Sequence, residues 1–231
     1  MKETSVEFRR VPIRPVDCLR QAVDLLREQY WLFVGICAVG ILIGSAVPLG
    51  ILMGPMMCGI YLCYFTRLRG ERVTFELLFK GFDYFLESLI ATLILVGAMV
   101  VIVVPLYLLF FVGFFALVAS AGQGGEEEVL IGFFGLFGLL YLLILVLALL
   151  VGTFFAFVYP LIVDRGLRAV PALKTSFRAV MANLGGMLGL VFLSSVISLL
   201  AACCCYLPVF FVLPITFGAT TLAYRKVFPG K

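Results

Sequence analysis

The chain has 231 residues, of which 64% are hydrophobic and 13% charged, with 17 lysines and arginines, 13 acidic residues and no histidine. A soluble domain carries roughly 45–50% apolar and about 25% charged residues, so a water-facing globule is excluded and a polytopic membrane protein is expected. The absence of histidine excludes mixed Cys/His zinc sites and leaves acid–base work to Asp, Glu, Lys, Tyr or Cys.

Residues 1–29 hold six basic and five acidic residues. That is unlike the short positive region and apolar core of a secretory signal, so the first apolar run is expected to be retained. Within this stretch, "CLRQAVDLLREQY" (18–30) places apolar residues at helical spacing with charges opposite. Such a segment reads as a helix lying in the membrane interface. Two apolar runs follow, 30–47 and 50–66, the second carrying Pro55-x-x-x-Gly59. Gly40-x-x-x-Gly44 in the first permits close helix approach.

A second amphipathic segment, "LLFKGFDYFLESL" (77–89), leads into a run over 86–119, and after "AGQGGEEEVL" comes another over 129–163. These runs have 34 and 35 residues. Splitting either would require a reversal without polar turn residues in lipid. Pro105 is therefore expected to kink its helix, and both spans to tilt or project past the headgroups. The third amphipathic segment, "ALKTSFRAVMANL" (172–184), precedes runs at 184–204 and 207–224. Gly185-x-x-x-Gly189 and Pro214-x-x-x-Gly218 repeat the earlier punctuation.

The expected fold is thus all-α, with six transmembrane helices in one membrane domain over 1–231. The helices form three hairpin repeats, 14–70, 73–166 and 168–228, each preceded by an interfacial helix. In gap-free alignment Leu19, Leu78 and Leu173 coincide, as do the small residues Ala22, Gly81 and Ser176. Six spans put all 17 lysines and arginines on one face and only Glu126, Glu127 and Glu128 on the other. By the positive-inside rule both termini are cytoplasmic, and the glutamates cap the external loop.

These residues, above all "FAFVYPLIVDRGLRAVPALKTSFRAVMANL" (155–184), resemble a group of bacterial membrane proteins similar to the membrane domain of glycerophosphoryl diester phosphodiesterases. The soluble domain bearing that family's catalytic residues is absent from this sequence. The resemblance implies an integral, bacterial inner-membrane protein and carries no catalytic role across.

No phosphate loop, nucleophile elbow, zincin motif or C-x-x-C pair occurs, so no enzymatic activity, metal or cofactor is expected. Asp164-Arg165 and Asp83/Glu87 are read as interface residues. The cysteines are read as packing residues, with Cys203-Cys204-Cys205 left open as a thiol or lipidated site.

The expected partners are membrane lipids, anionic in kind, and no nucleic acid. Headgroup contacts are assigned to Arg20, Arg27, Arg67, Arg69, Arg72, Lys80, Arg165, Arg168, Lys174 and Arg178. Gly40, Gly44, Gly185 and Gly189 are assigned to helix packing, within the bundle or with a protein partner or second copy. The expected role is a non-catalytic, lipid-contacting scaffold or partner subunit. The alternative is an uncoupled small-solute transporter or channel using polar residues such as Ser194 and Thr216, since no charge lies near the middle of a span.

Overall fold

The computed structural model of the chain describes residues 8–120, 126–204 and 207–229, and among them no strand occurs. The α-helices are α1 Pro15–Leu26, α2 Tyr30–Ala46, α3 Met53–Leu68, α4 Phe85–Ser120, α5 Glu126–Phe155, α6 Val158–Arg165, α7 Ala169–Ala182, α8 Leu184–Cys203 and α9 Leu207–Val227. Short 3₁₀ helices occupy Pro48–Gly50 and Phe75–Tyr84. The glycine-rich stretch 121–125 and Cys205 lie outside the described residues.

Four helical stretches are long and apolar enough to cross a membrane: Phe75–Ala119, Leu130–Arg165, Leu184–Cys203 and Leu207–Val227. The pair α1 and α2, bent by 106°, would add a fifth if it formed one span. This count is lower than the six expected, and length is the reason. With 17 and 16 residues, α2 and α3 rise about 26 and about 24 Å, short of the ~30 Å hydrocarbon core. Moreover, 11 of the 16 residues of α3 are buried, so protein rather than lipid surrounds it.

The helices form two compact units, Met1–Ile94 with Gly152–Lys231, and Leu95–Val151. In the first, Phe65, Phe157, Tyr224 and Phe228 bring α3, α6 and α9 together in one core cluster. A second cluster joins Phe33 and Ile36 of α2 to Ile60 and Tyr64 of α3 and to Leu78. The closest approach is between α3 and the 3₁₀ helix Phe75–Tyr84. A Cβ on Gly81 would meet the Pro55 carbonyl and lie 2.5 Å from Gly59 N, and one on Gly59 would meet the Leu78 carbonyl. Only glycine lets two backbones come this close. Gly54 repeats the device against Ser88, whose carbonyl oxygen would be 2.5 Å from a Cβ.

In the unit Leu95–Val151, α4 and α5 meet through Phe110, Phe114, Phe133 and Phe137, with Phe114 and Phe133 centroids 5.5 Å apart. Gly113 faces Leu136 and Gly132 faces Leu117, each against a flexible side chain. Pro105 lies inside α4 without ending it. Large apolar side chains such as Val101 and Leu109 are exposed, a surface suited to lipid rather than water. The helix α5 begins at Glu126.

Candidate functional site

Three polar side chains fasten helix junctions in the larger unit. Gln29 and Asn183 sit where α1 gives way to α2 and α7 to α8, in nearly one conformation: φ −125°, ψ 26° and φ −126°, ψ 28°. Gln29 Oε1 accepts from Val73 N–H at 3.2 Å, and Gln29 Nε2 donates to the Val73 carbonyl at 3.1 Å. Asn183 Oδ1 accepts from Val11 N–H at 2.9 Å, while Nδ2 donates to the carbonyls of Ala179 at 2.9 Å and Arg9 at 3.3 Å. An amide carries both donor and acceptor, so it can pair both ways with extended backbone. A carboxylate only accepts. Glu87 accordingly takes the N–H of Ala169, at 2.8 Å, one of the donors that the first turn of α7 leaves unpaired.

The N-terminal segment is held further along its length. Arg9 N–H donates to Val227 O at 2.9 Å, the Phe8 ring meets that of Phe228, and Ile13 is buried against Gly186.

Asp164 is the hub of a second polar cluster. Its Oδ2 accepts from the Tyr224 hydroxyl at 2.8 Å, and its Oδ1 lies 3.1 Å from Arg225 Nη2. Arg165 Nε stands 3.1 Å from Oδ2 as an ion-pair contact without hydrogen-bond geometry, while Arg165 Nη2 donates to Pro229 O at 2.8 Å. Arg225 also lies over the Phe65 ring at 4.8 Å. Two cations thus neutralise one mostly covered carboxylate, and the cluster ties α6 to α9.

The basic residues expected at headgroups divide into two sets. Arg67 donates to Glu28 at 2.6 Å and to Leu25 O, Arg69 pairs with Glu71, and Arg165 with Asp164. The hydrogen bond and positive charge of Arg67 hold the Glu28 carboxyl below its ordinary range. Arg20, Arg27, Arg72, Lys80, Arg168, Lys174 and Arg178 are exposed, and among the described residues they form no ion pair.

Of the four packing glycines, Gly40 is buried against Ile60 and Leu78, Gly44 against Met53, and Gly189 faces Pro15, while Gly185 has open space. The close approach falls instead on Gly186, where a Cβ would stand 2.7 Å from Ile13 O.

The free thiols of Cys18, Cys37, Cys58 and Cys63 are buried, and those of Cys203 and Cys204 exposed. Among the described residues no three His, Cys, Asp or Glu side chains gather as a metal site. Thr216, Thr220 and Thr221 donate to carbonyls of their own helix. The Ser194 hydroxyl is covered and makes no hydrogen bond among the described residues.

An apolar groove of about 390 Å³ runs between α1, α8 and α9, with Arg20 and Asp24 at its rim and Thr216 in its lining.

Sequence reasoning missed the junction amides and Gly186. A signal for the amides existed: Gln29, Ser88 and Asn183 share one column of the aligned amphipathic segments, and Glu87 stands one residue before it. No protein-family model, curated protein or solved structure matches this chain.

Proposed function

We propose that this chain is a non-catalytic, lipid-contacting scaffold or partner subunit of the bacterial inner membrane. On this reading both termini are cytoplasmic and six helices cross as three repeated hairpins. One observation carries the functional part: the polar side chains best placed for chemistry are committed to holding helices together. Asp164 joins α6 to α9, Glu87 caps α7, and Gln29 and Asn183 hold the backbone at Val73 and Val11.

The repeat is supported by the order of these fastenings. The end of each interfacial segment holds the entry to the next: Gln29 at Val73, Glu87 at Ala169, and Asn183 back at Val11. The aligned small residues follow the same order. Gly81 packs on Gly59, Ser176 donates to Phe154 O at 2.6 Å, and Ala22 meets Gly218. This cyclic pattern fits parallel units around an axis along the membrane normal.

Lipid contact is supported by the seven exposed cations on or beside the amphipathic segments that form no ion pair among the described residues, each contributing about 1 kcal/mol near an anionic surface. Gentle native purification with identification of co-purifying lipids and proteins tests the reading. Replacing Arg20, Lys80 and Lys174 together with glutamine is expected to reduce the anionic lipid retained; unchanged retention refutes it. The second reading, an uncoupled transporter or channel, draws on the Ser194 hydroxyl, which is covered and has no hydrogen-bond partner among the described residues. It predicts solute flux in proteoliposomes that is lost in Ser194→Ala.

A further inference from the structure

We infer that the groove between α1, α8 and α9 holds one acyl chain of an amine-headgroup phospholipid, with the phosphate on Arg20 and the ammonium on Asp24. The inference rests on the lipid-contacting reading above and adds to it a site and a headgroup.

The lining selects the chain. Val16, Leu19 and Val23 of α1 form one wall, Val212 and Ile215 of α9 the other, and Ile197 of α8 completes it. The volume of about 390 Å³ lies in the range of roughly 300–1,000 Å³ typical of ligand pockets. Thr216 brings the one hydroxyl to the described lining, and it already donates to Leu213 O at 2.9 Å. A polar solute would therefore shed its water against walls that return few hydrogen bonds, whereas a hydrocarbon chain loses nothing by entering.

The setting is right for such a ligand. The groove opens between an amphipathic helix and two of the helices able to cross a membrane. Val16 and Val23 are exposed to 61% and 47%, apolar surface that no described part of the chain covers. Where α2, α3 and the 3₁₀ helix Phe75–Tyr84 meet, the corresponding space is filled, because Leu78 is fully buried and reaches Gly40 beside Ile60. The open groove is thus a local feature rather than a consequence of helices meeting at this angle.

The rim selects the headgroup. Arg20 and Asp24 stand one turn apart on α1, close enough to pair across the helix surface. They form no ion pair with each other or with another described residue, and both are exposed. A fixed positive charge one turn from a fixed negative charge matches a phosphate followed by an ammonium. A headgroup with phosphate and no amine would satisfy Arg20 and meet repulsion at Asp24.

The test uses the full chain, exchanged into nanodiscs of equal phosphatidylethanolamine and phosphatidylglycerol with matched acyl chains, and counts retained lipid by native mass spectrometry. One phosphatidylethanolamine is expected to be retained over phosphatidylglycerol by roughly fivefold. Asp24→Asn should abolish the preference while keeping a lipid, Arg20→Gln should weaken retention of both, and Ile215→Trp should fill the groove and remove the tightly held lipid. Should Ile215→Trp fail to elute as a single species, Val23→Phe, at an exposed position, blocks the same groove from its edge. Equal retention of the two lipids with no effect of Asp24→Asn overturns the headgroup assignment, and retention unaffected by filling overturns the groove. Displacement of the lipid by soluble phosphoethanolamine would make the occupant a headgroup-sized solute and also overturn it. Failure of the broader reading looks different: the Arg20, Lys80, Lys174 triple variant would keep its bulk anionic lipid while the groove variants still lost theirs.

Discussion

Gly81→Ala is the sharpest single test of how the larger unit is packed. The added Cβ would stand 2.5 Å from Gly59 N and closer to the Pro55 carbonyl, where ordinary contact begins at 3.4 Å. The two helices must therefore separate by more than the roughly 0.9 Å that Gly59 N alone would require, and no flexible side chain can yield in their place, since the atoms met are all backbone. Overpacking of this kind costs roughly 1–3 kcal/mol, and the better helix propensity of alanine returns at most about 1. A net loss of about 1–2 kcal/mol is expected, visible as earlier unfolding in a denaturant titration of the detergent-solubilised protein followed by circular dichroism. Gly59→Ala, on the opposing backbone, should cost a similar amount. The double variant should cost less than the sum, because the separation forced by one methyl makes room for the other; coupling between touching residues is typically 0.5–3 kcal/mol. Gly97→Ala, where nothing lies within 4 Å, is the control and should be neutral or stabilising. Wild-type stability in Gly81→Ala, or strict additivity of the pair, would refute the reasoning.

Three further outcomes are expected. Asn183→Leu leaves the Val11 N–H and Arg9 carbonyl without their partner and should destabilise by about 1–3 kcal/mol, with faster hydrogen exchange at Val11 as the specific readout. The Glu28 carboxyl, held down by Arg67, should titrate by NMR below the ordinary 4.5 and return to it in Arg67→Met; the stabilisation from this pair is present above the unfolded pKa and is lost as pH falls through the folded one. Finally, with native thiols removed, Gly124→Cys should react with an impermeant thiol reagent in intact cells while a cysteine placed at Arg72 should not, and replacing Glu126, Glu127 and Glu128 by glutamine should leave that pattern unchanged, because lysine and arginine set orientation. Labelling of Gly124→Cys only in broken cells would overturn the orientation.

Local and compositional properties of this protein were legible in its residues without any coordinates. The long apolar runs, the amphipathic segments that became α1 and α7, and the continuation of α4 through Pro105 all follow from the residue under consideration and its near neighbours. Hydrophobic periodicity reports which face of a helix avoids water, but not which element covers that face. Tertiary structure alone decided the partners. Asn183 meets Val11 across 172 residues and Gln29 meets Val73 across 44, and no spacing rule reaches so far. It also moved the close approach in α8 from Gly185 to Gly186, because that choice depends on where Ile13 crosses the helix rather than on the helix itself. The same holds for α3, of whose 16 residues 11 are buried: its apolar run alone could not reveal that other elements of the chain cover it.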